Sequence, residues 1–182
     1  SSSNAVDINF ISGYNGSIGT PINIAHYWIY TFASTGGGRS GWTQKLSTGV
    51  IPQTDGFIFK GPGRPQNYTF VGTPKDGTLT TAIGGSEAYL VGNPYASAIS
   101  SKKFIEDNIN TIYGTLYFWE HVDEENATGT AGHNYNGYVG GYATRNIAMG
   151  VSANEVASND NSNDGTPSIG NGVYKAPENY IP

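Results

Sequence analysis

The sequence predicts an all-β protein, a β-sandwich of jelly-roll type with one short helix, and three observations carry that expectation. Short runs of alternating apolar and polar residues recur along the chain. Turn residues punctuate them, with 26 Gly and 9 Pro. Charged residues make up only 13% of the chain, about half the usual share, so Asn, Ser, Thr, Gly and Tyr must supply the polar surface. Many short strands separated by turns indicate a sandwich or barrel. At 182 residues the chain is most simply one domain, residues 1–182, long enough to bury a core.

Val6, Ile8 and Phe10 alternate with Asp7 and Asn9, the period of a half-buried strand. Gly13, Tyr14, Asn15, Gly16 and Ser17 form a turn. From His26 to Phe32 the residues are bulky on both parities, which predicts one strand, either covered on both faces or holding aromatics on its second face against a partner. Gly36, Gly37 and Gly38 make a loop tip, and Trp42, Gln44 and Leu46 begin another strand. Thr54, Asp55 and Gly56 turn into a strand at residues 57–60, and residues 67–71 alternate again. Thr73, Pro74, Lys75, Asp76 and Gly77 are hairpin chemistry, with Pro presetting φ and Gly taking the left-handed position. Residues 78–83 are then the return strand.

The central stretch is expected to tie the two halves of the chain together. Tyr89, Leu90 and Val91 read as a buried strand that Asn93 and Pro94 stop. Ser100 or Ser101 caps a short helix that carries Phe104, Ile105 and Ile109 on one side. An aromatic strand covers residues 115–121. A polar loop over 122–136 leads to a strand at 138–147, broken by Gly140 and Gly141, and residues 154–171 are a long polar surface loop.

Composition also restricts function. A net charge of -5 with 9 Lys plus Arg argues against a nucleic-acid partner, since little is available to neutralise phosphates. No apolar run approaches the roughly 20 residues of a membrane-spanning helix, so membrane insertion is not expected. Absence of cysteine rules out disulfides and thiolate metal sites. Ser1, Ser2, Ser3 and Asn4 do not form a secretory leader, so the chain reads as a mature or excised piece of something longer.

Two kinds of candidate site emerge. Tyr117, Trp119 and His121 share one face of their strand, and Trp42, Tyr135, Tyr138 and Tyr142 could extend it, with His133 on a nearby loop. Such a row stacks on the apolar faces of sugar rings; the competing reading is that these aromatics fill the core. The ligand-binding candidates are therefore Trp42, Trp119, His121, His133, Tyr135 and Tyr138. Asp160, Ser162 and Asp164, with Gly165, partly match a calcium loop, although Asn171 stands where its last acidic ligand is expected. Calcium is the candidate cofactor there, against the plainer reading of a solvated loop. Asp123, Glu124 and Glu125 are a second acidic cluster.

Nothing marks a catalytic pair. Glu87, Glu106, Glu120 and Asp123 are available, but no two are placed by position across a cleft. His26, His121 and His133 lack metal-ligand spacing, and neither a nucleophile elbow nor a phosphate loop occurs. The expectation is a protein that is not an enzyme.

Tyr89-Leu90-Val91-Gly92-Asn93-Pro94-Tyr95, Gly114-Thr115-Leu116-Tyr117-Phe118-Trp119-Glu120-His121 and Gly141-Tyr142-Ala143-Thr144-Arg145-Asn146 occur in that order. Together they resemble a region of large cell-surface proteins exported by the type IX secretion system of Bacteroidota. The chain departs from the pattern at Ala96, where the family commonly has Pro, and in lacking flanking segments of the family at both ends. The resemblance implies a β-sandwich fragment without its first and last strands, from a secreted or surface-anchored protein. Taken with the absence of catalytic motifs, it makes the expected function a non-catalytic role in adhesion or in spacing and presenting other modules of the same parent protein. The alternative is a carbohydrate-binding module, calcium-dependent if the 160–164 loop holds the ion, that targets an attached enzyme to polysaccharide. Its partner is then a glycan or another surface ligand.

Overall fold

The structure is a computed structural model that describes residues 8–35, 39–62, 68, 71–121, 139–151, 156–157 and 180–181. The chain divides into two compact units, Ser1–Ala96 and Ser97–Pro182.

In the first unit, Ile22 and Ile24 alternate with Asn23, and the strand they make buries both isoleucines. This strand, β2 (Ile22–Ala25), pairs in parallel with β1 (Ile8–Ile11), placing Ile8 opposite Ile22 and Phe10 opposite Ile24. Ala25 and Ile29 are buried as well, each such isoleucine contributing about 1.5–3 kcal/mol over an exposed one. On the other parity, Asn9 lies opposite Asn23 and donates to its Oδ1 at 2.8 Å, and Asn23 donates onward to Ser17 Oγ at 2.8 Å. The ten residues between the strands contain a cis Thr20–Pro21 bond.

The single strand expected from His26 to Phe32 is replaced by two elements. His26–Trp28 is a 3₁₀ turn, and β3 (Tyr30–Thr35) follows it. The reason lies in the aromatic run: a strand would send Tyr27 and Trp28 to opposite faces, whereas the turn brings their rings together at 4.9 Å, edge to face. Next to β3 lie β4 (Trp42–Gln44) on one side and β5 (Glu87–Tyr89) on the other, both antiparallel.

The strand expected at 57–60 reduces to one bridge, Ile58 to Tyr30, and none forms at 78–83, where most residues are exposed. Gly77 takes φ +74, the left-handed position assigned to it. The buried strand expected at Tyr89, Leu90 and Val91 is not formed as such: β5 ends at Tyr89, Tyr89 and Leu90 are half-buried, and Val91 is exposed and makes a single bridge to Asp55. The Asn93 side chain accepts from the Tyr95 N–H at 2.9 Å, which makes the expected Asn-Pro turn.

In the second unit, β6 (Ile99–Ser100) runs into the helix α1 (Ser101–Asp107), and β11 (Tyr180–Ile181) pairs with β6. Ser100 is the cap, its hydroxyl accepting from the Lys103 N–H at 3.3 Å. Ile105 is fully buried and Phe104 half-buried. Ile109 is 48% exposed, because Asn108 ends the helix first, its side chain donating to the Phe104 carbonyl at 2.8 Å.

The strands β7 (Leu116–His121), β8 (Val139–Arg145), β9 (Gly150–Val151) and β10 (Val156–Ala157) form an antiparallel sheet around β8. Gly140 and Gly141 do not break β8; they pair with His121 and Glu120. Among the described residues the chain is all-β with one short α-helix, as the sequence predicts.

Candidate functional site

On β7 and β8 the alternation of side chains sorts the aromatics as the sequence suggests. Phe118 is half-buried and Ala143, opposite it, is fully buried. Tyr117 and Tyr142 have the other parity and are 67% and 58% exposed, so they are surface rather than core. Their ring centroids lie 6.4 Å apart with planes at 85°. Thr144 lies between Tyr117 and Val151 in the ladder, and Val151 is 54% exposed. Trp119 is in register with Tyr142, and His121 with Gly140.

Trp42 belongs to the first unit, opposite Phe32, with ring centroids 4.9 Å apart, and remains 38% exposed. The side chains of Trp119, Glu120 and His121 lie outside what is described. So do His133, Tyr135 and Tyr138, the calcium candidates Asp160, Ser162 and Asp164, and the cluster Asp123, Glu124 and Glu125. Among the described residues, no three His, Asp or Glu side chains come together to hold a metal ion, and no helix is long and apolar enough to cross a membrane.

Two candidate acids have structural partners. Glu87 accepts from the Gly84 N–H at 2.5 Å, and Glu106 lies 3.8 Å from Lys102. Asp55 accepts a hydrogen bond from the Tyr89 hydroxyl. Burial, and after it that bond, pushes the Tyr89 hydroxyl above the usual phenol range.

A second aromatic group, which no motif in the sequence marks as a site, lies in the first unit. Tyr27, on the 3₁₀ turn, stands edge to face with Tyr14 at 4.7 Å and with Trp28 at 4.9 Å. Tyr14 is 50% exposed and Tyr27 36%. Lys60 reaches in, donating to the Tyr14 carbonyl at 3.1 Å and to Asn15 Oδ1 at 3.0 Å, with its Nζ 5.6 Å from the Trp28 ring centroid. Partial burial lowers its pKa. Gln44 donates to the Tyr27 carbonyl and to the Tyr30 hydroxyl, which ties the turn to β4. The signal was the adjacent Tyr27-Trp28 pair, which a strand cannot place side by side. The first unit also holds an apolar cavity of about 200 Å³, lined by Ile8, Phe10, Ile24, Ile29, Phe57 and Tyr68 among others.

A family model described as a domain of unknown function, DUF8693, matches residues 12–176. No curated protein matches the chain. No solved structure matches it.

Proposed function

We propose that this chain, which belongs to the DUF8693 family, is a non-catalytic module of a secreted or cell-surface protein, with a role in adhesion or in presenting other modules of its parent. The observation that carries this reading is the exposed Tyr117–Tyr142 pair on a sheet whose opposite parity is packed. Large apolar rings held in water by strand pairing are a contact surface in waiting. The engagement of Glu87, Glu106 and Asp55 with structural partners agrees with it. The resemblance to type IX secreted proteins of Bacteroidota supports export, and a jelly-roll sandwich remains the architecture we favour for the intact module.

The experiment is adhesion of protein-coated beads to immobilised surface ligands. Wild-type beads should be retained, and Tyr117→Ala with Tyr142→Ala should reduce retention about tenfold, the scale on which buried aromatic contacts dominate binding. Equal retention by the double variant would refute the reading.

A second reading is a carbohydrate-binding module. It is favoured by the perpendicular setting of the two rings, which lets a sugar stack on one while the other flanks it, with Thr144 of β8 in register with Tyr117. Glycan-array signal lost on changing Tyr117, Trp42, Trp119 or Tyr138 would establish it, and a blank array at high protein concentration would remove it. Calcium belongs to this reading. A rise in melting temperature with added calcium, absent in Asp160→Asn with Asp164→Asn, is the outcome it requires.

A further inference from the structure

We propose that the group formed by Tyr14, Tyr27, Trp28 and Lys60 in the first unit binds an anionic sugar, a pyranose ring that carries a carboxylate. This group belongs to the first unit, whereas the β7–β8 surface belongs to the second.

The argument begins with Lys60. Its ammonium is held by two neutral acceptors, the Tyr14 carbonyl and Asn15 Oδ1, and by the face of Trp28. The ion pairs found among the described residues use Lys102 and Lys103, and no described carboxylate lies against Lys60. A lysine has three N–H donors, so one remains after these two bonds. Partial burial makes the charge costlier to carry without a counter-ion. A fixed, partly desolvated cation with no acidic partner among the described residues is a place where an anion gains a charge-assisted hydrogen bond.

The surroundings decide what kind of anion. Tyr14 and Tyr27 are exposed rings set at 75° to each other, so each offers an apolar face and together they form a corner. A pyranose has an apolar face of C–H groups that fits against one ring while its edge meets the other. The Asn15 amide nitrogen and the Gln44 amide oxygen are left over from their structural bonds, and they supply a donor and an acceptor for hydroxyls. A free inorganic anion would use the ammonium and leave both rings idle. A neutral sugar would use the rings and leave the ammonium unpaired. A uronate residue uses both.

The test is titration calorimetry of the full chain with polygalacturonate, with neutral galactan and with sulfated galactan, at low and physiological salt. Polygalacturonate should bind, more weakly as salt rises. Lys60→Met keeps the stem against Trp28 and removes the charge; it should weaken polygalacturonate binding about tenfold or more, the scale of one charge-assisted hydrogen bond. Tyr27→Leu, judged folded by circular dichroism, should weaken it as well and provides a second, independent variant. Wild-type affinity in folded Lys60→Met overturns the proposal, as does absence of polygalacturonate binding, or a preference for neutral or sulfated galactan. Loss of glycan binding with Tyr117→Ala but not with Lys60→Met overturns this site and leaves the β7–β8 reading intact.

Discussion

The Tyr89 hydroxyl and Asp55 come from segments 34 residues apart, and their bond fastens the 54–56 turn to β5. Replacing Tyr89 by Phe removes the bond and keeps the ring, so the expected cost is about 1–2 kcal/mol at pH 7, read as a lower urea midpoint with unchanged slope. The pH dependence follows from the direction of the shift. The Tyr89 pKa is raised in the folded state, chiefly by burial and then by Asp55. Its contribution is therefore complete below the unfolded phenol value near 10 and is lost as pH rises through the folded value. Wild type and Tyr89→Phe should converge in stability above about pH 10, and a gap that widens there would contradict the assignment.

At this scale the sequence was readable where period decides. The alternation along residues 116–118 puts Tyr117 and Phe118 on opposite faces, but that Tyr117 is the exposed one, rather than core, comes from the structure. The sequence could not show the Tyr89–Asp55 bond or the seating of Lys60 on Trp28, because neither partner is a neighbour in sequence.

At the scale of elements, α1 shows which local rules hold. Ser100 caps it as its residue type predicts, and Ser100→Ala should cost about 1 kcal/mol. Ile105 has no exposure, so Ile105→Ala should cost about 2–5 kcal/mol, several times the cap. Thermal melts of the two variants check the order, and a cap variant as damaging as the core variant would mean that α1 is held by its end rather than its face. The 3₁₀ turn at His26–Trp28 was illegible for the opposite reason. Tyr27 and Trp28 favour strands by propensity, and the local ring contacts that override propensity are visible only in three dimensions.

The crossing of 54–56 with 91–92 was equally hidden, although glycine marked it. The Gly92 N–H donates to the Thr54 carbonyl at 2.9 Å, and a Cβ at Gly92 would sit 2.5 Å from the Asp55 carbonyl oxygen. Gly92→Ala should therefore part these two segments and cost about 1–3 kcal/mol, as overpacking does. Faster amide exchange at Gly56 and Gly92 would register the parting.

For the whole molecule, each unit has buried residues of its own. Ile22, Ile24, Ala25 and Ile29 pack in the first, and Ile105 and Ala143 in the second. The boundary between Ala96 and Ser97 falls inside the stretch that the sequence marked as joining the halves. Composition explains why overall class was easier to read than layering: glycine-punctuated alternation identifies strands, but pairing partners are set by long-range register, as in the parallel match of β1 with β2. Because apolar burial is the main stabilising term and acts on neighbours, a cavity opened in one core should loosen the segments packed around it first. Ile24→Ala should accelerate amide exchange across β1 to β4 and leave α1 and β7 close to wild type, and Ile105→Ala should do the reverse. Hydrogen exchange with mass-spectrometric readout measures both at once. Uniform acceleration along the whole chain by either variant would show that the two units open together as one cooperative body.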